Sequence, residues 1–362
     1  MLPPMTAEQK TAAEARDPFL AITAYAGTGK TTTLVHFARQ RPEARLLYLA
    51  FNRSLALEAK RAFLSLRQAE VRTIHSLAFR YTGRKYAEQL GSFRTLDIVP
   101  HLPPSCSGSY SLARLAGEIL EGFLTGPDPS AEAYLKLREH LFQPLAALSL
   151  GMPLMSRSRR VQDKLDKILA DLGRTAEKIW GLMKKGSFAM PHNGYLKLFQ
   201  LEKISLDYDC LLVDEAQDLN DCMIDIILNF PGRKVLVGDP YQQIYEWNGA
   251  VNALQKTSSG SASYFLTQSF RCPANAAALA DRVLKILGSS KTFTGVAGPP
   301  QRRDPGPKAF IARTTFGLFK FAAENISRYA LAWNGGLAAY DLGLIKDIYH
   351  LKSGRPAEIR SP

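Results

Sequence analysis

The chain has 362 residues, 46% of them hydrophobic, enough to fill the cores of two or three folded, soluble domains. Its apolar runs break well short of the roughly 18 to 20 residues that a membrane span needs, and Met1–Lys10 lacks the charged-then-apolar layout of a secretion signal. A net charge of +13 points to a polyanionic partner, and four scattered cysteines, Cys106, Cys210, Cys222 and Cys272, indicate neither a zinc site nor a disulfide scaffold and read as buried thiols. The expected location is cytoplasmic, associated with the nucleoid, for a bacterial source and nuclear for a eukaryotic one.

In chain order, short apolar runs open directly into polar turns and then helical stretches, the rhythm of a parallel α/β sheet. Phe19–Thr23, Arg45–Ala50, Cys210–Val213 and Lys234–Val237 are the predicted strands. Ligands on such a sheet gather beyond the carboxyl ends of its strands, so the residues after each run carry the functional information. Between about Tyr86 and Gln200 the spacing turns helical, with helices predicted at Ser111–Leu124, Ala131–Leu141 and Val161–Met183 as parts of an insertion. A Gly/Pro-rich segment, Gly298–Pro307, then precedes a predicted strand at Lys308–Thr314.

The first strand runs into Ala24-Tyr25-Ala26-Gly27-Thr28-Gly29-Lys30-Thr31-Thr32 and then the helical Leu34–Phe37. Glycines let a backbone wrap closely around phosphates, and a helix N-terminus aims its N–H groups at the negative charge. Ala26, Gly27, Thr28, Gly29, Lys30, Thr31 and Thr32 are therefore candidate phosphate-binding residues, with Lys30 reaching the β/γ-phosphates of ATP and Thr31 ligating Mg²⁺. Ala24 stands where the general G-x-x-x-x-G-K-[ST] pattern has its first glycine.

Cys210–Val213 ends in Asp214-Glu215-Ala216-Gln217-Asp218. Beside a phosphate loop, Asp214 can hold Mg²⁺ through water and Glu215 can polarise the water that attacks the γ-phosphorus. Asp218 reads as a helix N-cap. One strand later, Val235–Val237 leads into Gly238-Asp239-Pro240-Tyr241-Gln242-Gln243-Ile244-Tyr245-Glu246-Trp247-Asn248-Gly249. A glutamine there can sense the γ-phosphate, while Tyr245 and Trp247 offer flat faces to an unpaired base, worth about 1 to 3 kcal/mol per base.

Taken in order, these motifs resemble those of the UvrD/Rep-type superfamily 1 DNA helicases from about Thr6 to about Gly354. Met5-Thr6-Ala7-Glu8-Gln9 resembles their Q motif, which implies that Gln9 contacts adenine. Ala50-Phe51-Asn52-Arg53 and Thr73-Ile74-His75-Ser76-Leu77-Ala78 look like two motifs that touch single-stranded DNA, which implies Phe51, Asn52, Thr73 and His75 as contacts. The resemblance to G-D-x-x-Q-x-I-Y assigns γ-phosphate sensing to Gln242 rather than Gln243. Leu266–Arg271 resembles the motif in which an aromatic stacks on adenine and an arginine reaches the γ-phosphate, implying Phe270 and Arg271. His192–Lys197 and Val251–Leu254 look most like the F-box DNA helicase branch, although no F-box is visible, and Asn248 stands where the family usually has arginine.

The fold so implied is α/β: a RecA-like P-loop NTPase domain made of residues 1–85 and 201–270, a helical insertion at 86–200, and the start of a second RecA-like domain at 271–362. The later T-x-H-x-x-K-G-[LM]-E and T-R-A motifs of the second domain do not occur in these residues, so a truncated chain that unwinds little is expected. The implied function is that of an ATP-dependent DNA helicase or translocase. Its cofactors would be ATP and Mg²⁺, its partner single-stranded or partly duplex DNA, and its catalytic residues Glu215, Lys30, Gln242 and Arg271. A non-enzymatic DNA- or protein-binding decoy derived from a helicase is the alternative; a small-molecule P-loop kinase is disfavoured by the Asp214–Asp218 box and the Trp247 segment.

Overall fold

The computed structural model describes residues 4–152, 158–244, 249–296, 309–312 and 314–333, together with His350 and Gly354. It divides into two compact units, Met1–Gly298 and Pro299–Pro362.

The first unit is built on a six-stranded sheet. β1 (Phe19–Ala24), β2 (Leu46–Ala50), β3 (Ala69–Thr73), β4 (Cys210–Val213), β5 (Arg233–Gly238) and β6 (Ala262–Leu266) lie in the order β3-β2-β4-β5-β1-β6. Every neighbouring pair is parallel. Parallel strands need crossovers that cover both faces, and alternation along the strands divides the apolar residues accordingly. Leu20, Ile22, Tyr48, Leu212 and Val235 join one core with residues of the helices Ala7–Glu14, Lys30–Arg39 and Arg53–Ala62. Leu47, Leu49, Leu211, Val213 and Leu236 join the other, with residues of Ile74–Ala78, His192–Leu201 and Asp221–Leu228.

β3 was not among the predicted strands. It pairs only with β2, at the sheet's edge, and buries a single residue, Val71, so its sequence lacks the continuous apolar run of the central strands.

Between β3 and β4 the helices Tyr110–Thr125, Ala131–Leu137, Glu139–Ser149 and Arg159–Lys184 close a separate core around Leu112, Ile119, Phe123, Leu172, Ile179 and Trp180. The single helix predicted at Ala131–Leu141 is instead broken at Arg138. That residue leaves helical geometry, at φ −123° and ψ 17°, while its guanidinium donates to Asp128 Oδ2 at 3.0 Å and to the Tyr134 carbonyl at 3.2 Å. Beyond β6, β7 (Gln268–Pro273) pairs in parallel with β8 (Thr294–Val296), with the helix Ala274–Ile286 between them. Residues 271–298 thus belong to the first compact unit.

In the second unit the helix Thr315–Asn325 is capped by Thr314, whose hydroxyl accepts from Gly317 N at 3.1 Å, and Phe310 stacks on Phe321. Of the strand predicted at Lys308–Thr314, residues 309–312 are irregular, with no partner strand among the described residues of that unit, and Lys308 and Arg313 lie outside the described residues. Gly298–Pro307 lies outside the described residues. Cys106, Cys210 and Cys222 are buried as predicted, but Cys272 is only half-buried, because β7 is not covered as the central strands are. No helix among the described residues is long and apolar enough to cross a membrane.

Candidate functional site

β1 delivers the loop Tyr25–Gly29 to the carboxyl edge of the sheet, where the helix Lys30–Arg39 begins. Gly27 and Gly29 have φ of 73° and 81°, the left-handed region that glycine enters without cost. No side chain caps this helix, so its first-turn N–H groups stay available to an anion.

Segments far apart in sequence close tightly on this loop. A Cβ on Gly29 would lie 2.6 Å from Gln9 Nε2, and one on Gly27 would lie 2.5 Å from Arg271 Cβ. Gln9 is 3% exposed; its Nε2 donates to the Thr28 carbonyl at 3.1 Å, and its Oε1 accepts from Thr6 N at 2.9 Å in a capping box. Phe270 N donates to the Gly27 carbonyl at 2.9 Å while its ring stays 47% exposed beside the loop. Gln9, the loop and Phe270–Arg271, three candidates from separate motifs, are thereby brought together.

Two residues outside the candidate set hold that arrangement. Ser269 Oγ donates to the Ala26 carbonyl at 2.7 Å and accepts from Arg271 N and Cys272 N at 3.2 and 3.1 Å. Glu8 accepts from Thr267 N at 2.7 Å and from its hydroxyl at 2.8 Å, pinning the Q-motif helix to the strand end.

The carboxylates follow β4. Asp214 Oδ2 accepts from Thr31 Oγ1 at 3.1 Å and from the Tyr48 hydroxyl, and Oδ1 accepts from Glu215 N at 2.9 Å. Burial and the neighbouring Glu215 raise the Asp214 pKa, opposed by Tyr48 and Lys30. Glu215 adopts φ 53°, one of two non-glycine residues with positive φ among those described, and its Oε2 lies 3.1 Å from Lys30 Nζ. Gln217 ties the next strand in: its Nε2 donates to Glu215 Oε2 at 2.9 Å and its Oε1 accepts from Asp239 N at 3.0 Å.

The neighbouring glutamines differ. Gln242 Nε2 donates to Asp239 Oδ2 at 2.5 Å at the edge of this network, whereas Gln243 Nε2 is spent on the Ala250 carbonyl at 2.9 Å. Asp218 is not a helix N-cap. Asn220 caps the helix Asp221–Leu228 through Met223 N at 2.9 Å, because Leu219 extends the chain and moves the helix start past Asp218. Asp218 is instead buried, and burial pushes its carboxyl up to about 6.

Thr31 Oγ1 and Asp214 Oδ2 converge as hard oxygen donors beside the loop, which suits Mg²⁺. Among the described residues no group of three or more His, Cys, Asp or Glu could hold a metal.

Phe51, Asn52, Thr73 and His75 meet in a second place, an open groove of about 1090 Å³ beyond β2 and β3. Asn52 and Thr73 also cap helices there, accepting from Leu55 N at 2.9 Å and Ser76 N at 3.1 Å. His75 Nε2 pairs with Asn193 Oδ1 at 3.3 Å, and burial lowers the His75 pKa. The groove is completed by Arg53, Arg72, Arg80, Arg84, His192 and Tyr195, which the motif reading did not assign to it. Arginines are too common for their types to have marked them. Tyr245 and Trp247 lie outside the described residues, as does Asn248.

Residues 8–248 match the AAA domain family. The chain is 32% identical over 369 residues to F-box DNA helicase 1 of Gallus gallus, covering 95% of this chain and 34% of that protein. It is 29% identical over 312 residues to F-box DNA helicase protein 1 of Schizosaccharomyces pombe, covering 81% of this chain and 34% of that protein. A shorter match, 34% identical over 101 residues, joins 25% of the chain to 14% of a probable DNA helicase II homolog of Mycoplasma genitalium. The chain thus spans 34% of the length of each of the first two relatives. Because the family match takes in well over half of the chain, from the helix that carries Gln9 past the strand that leads into Asp239, the protein belongs to the AAA-domain family of UvrD/Rep-like helicases.

Proposed function

We propose that the chain works as an ATP-dependent DNA helicase or translocase, binding ATP·Mg²⁺ at the loop Ala26–Thr32 and single-stranded DNA along the groove at Phe51 and His75. The observation that carries this reading is that one strand touches both places. Tyr48 of β2 hydrogen-bonds Asp214, while the same strand leads straight into Phe51–Arg53 of the groove. A change at the nucleotide can therefore reach the DNA contacts through a single rigid element.

On this reading Lys30 exchanges Glu215 for the phosphates when nucleotide arrives, and Glu215, steadied by Gln217, orients the attacking water. Gln9 and Phe270 hold the adenine, Gln242 senses the γ-phosphate and Arg271 neutralises its charge. Mg²⁺ held by Thr31 and Asp214 would supply further neutralisation of phosphate charge. Lys30 and Glu215 are both present, which favours this over a non-enzymatic decoy.

A second arginine of the kind in the T-R-A box does not occur in residues 1–362, and such an arginine is worth roughly 10³ to 10⁵ in rate where it has been measured. The 362 residues by themselves are therefore expected to bind nucleotide yet turn it over slowly. A steady-state ATPase assay with and without a single-stranded oligonucleotide tests this. Turnover of several per second, stimulated by DNA and abolished by Glu215→Gln, would show a self-sufficient motor, and absence of both nucleotide and DNA binding would overturn the reading.

A further inference from the structure

Among the described residues four arginines line the groove, and two of them share one carboxylate. On β3, Val71 packs into one core while Glu70 and Arg72 alternate to the opposite face of the strand. Glu70 Oε1 accepts from Arg72 Nε and lies 3.6 Å from Arg80 Nη1, and Glu70 Oε2 accepts from the Tyr208 hydroxyl. Arg72 and Arg80 belong to the groove wall, whereas Glu70 and Tyr208 are not among the residues that line it.

We propose that Glu70, clamped by Tyr208, is a positioning residue that presets Arg72 and Arg80 to engage adjacent backbone phosphates of a single strand in the groove. The proposal rests on the DNA-binding reading of that groove and extends it to residues that no family motif assigns.

A carboxylate near a polyanion should by simple charge weaken binding, so its value must lie in geometry. Arginine side chains carry much rotamer freedom, and ordering them at the moment of binding costs affinity. Here the ordering is done in advance. Arg72 is held through Nε, which leaves its two terminal nitrogens unspent on the carboxylate, and Arg80 is held through one terminal nitrogen. Although burial opposes it, the Tyr208 hydroxyl and Arg72 keep Glu70 below the usual carboxylate range, so the clamp stays charged at neutral pH. Tyr208 stands two residues before β4, and its hydroxyl anchors the edge strand to the segment leading to Asp214.

The test is fluorescence polarisation of the whole chain with a labelled single-stranded oligonucleotide of about 16 nucleotides, titrated across salt. Glu70→Gln is expected to weaken binding about fivefold despite removing a negative charge, and to flatten the slope of log Kd against log salt by about 1. Tyr208→Phe, which changes no charge and removes neither arginine but releases the clamp on Glu70, should move both readouts in the same direction. Unchanged binding of a fluorescent ATP analogue reports that each variant is folded. Tighter or unaltered DNA binding by Glu70→Gln would overturn the proposal and make the carboxylate a simple repulsive charge. If the parent chain itself shows no salt-dependent binding, the DNA reading of the groove fails, a result distinct from any behaviour of the variants.

Discussion

Lys30 Nζ and Glu215 Oε2 stand 3.1 Å apart, both side chains largely withdrawn from solvent, so a cation of the glycine loop and a carboxylate of the next site segment neutralise each other. Burying either alone would be costly, and pairing at the mouth of the loop offsets that cost. Lys30→Ala should weaken fluorescent-nucleotide binding at least about tenfold, or about 1.4 kcal/mol. Glu215→Gln should bind nucleotide as well as the parent and lose hydrolysis. Equal nucleotide affinity in the parent and Lys30→Ala would contradict the assignment of Lys30.

Gly29 is fixed twice, by its φ of 81° and by Gln9 Nε2 where a Cβ would go. An L-residue in that conformation costs about 1 to 2 kcal/mol before any collision is counted. Gly29→Ala should therefore lower nucleotide affinity at least about tenfold. Because the obstacle is the Gln9 side chain, adding Gln9→Ala should recover part of the loss of fold stability without restoring adenine binding. A double variant no more stable than Gly29→Ala alone would show that backbone strain, not the collision, is decisive.

Asp218 gives a pH dependence with a definite sign. Its usual value of 3.8 is raised to about 6 by burial, and its Oδ1 has no hydrogen-bond partner among the described residues. Between those two values the folded chain keeps a proton that the unfolded chain has lost, so this group's contribution to stability is full below the window and lost as pH rises through it. Asp218→Asn should raise the thermal midpoint by about 2 to 4 °C at about pH 7.5, and the gain should disappear near pH 4. A gain that stays constant with pH would mean that the carboxyl is not titrating there.

Binding of single-stranded DNA should fall steeply with added salt, because neutralised phosphates release counterions. Trp247→Ala should weaken it by about 1 to 3 kcal/mol for most sequences alike, as stacking without hydrogen-bond readout requires. A Trp247→Ala chain that binds as tightly as the parent would place the strand elsewhere on the surface.

The sequence by itself determined the features that are local. A strand, a glycine loop and a helix must follow one another within a dozen residues to hold phosphates, and Phe19–Arg39 spells that order out. The same holds for Cys210–Glu215, where a fully buried strand ends in two carboxylates, and for the order of motifs that marks the family. Tertiary structure alone decided the pairings between distant segments. Tyr48 reads as one more buried strand residue, yet its hydroxyl meets Asp214 across 166 positions of sequence. Ser269 and Gln217 became structural keystones for the same reason, and Asp218 lost its expected capping role to Asn220 because the exact start of a helix depends on how the preceding turn packs. β3 and its Glu70 lay hidden because an edge strand buries one residue in five and shows no alternation strong enough to read. Periodicity tells which face of an element is covered; it does not tell which distant side chain covers it, and hydrogen-bond partners are chosen at that level.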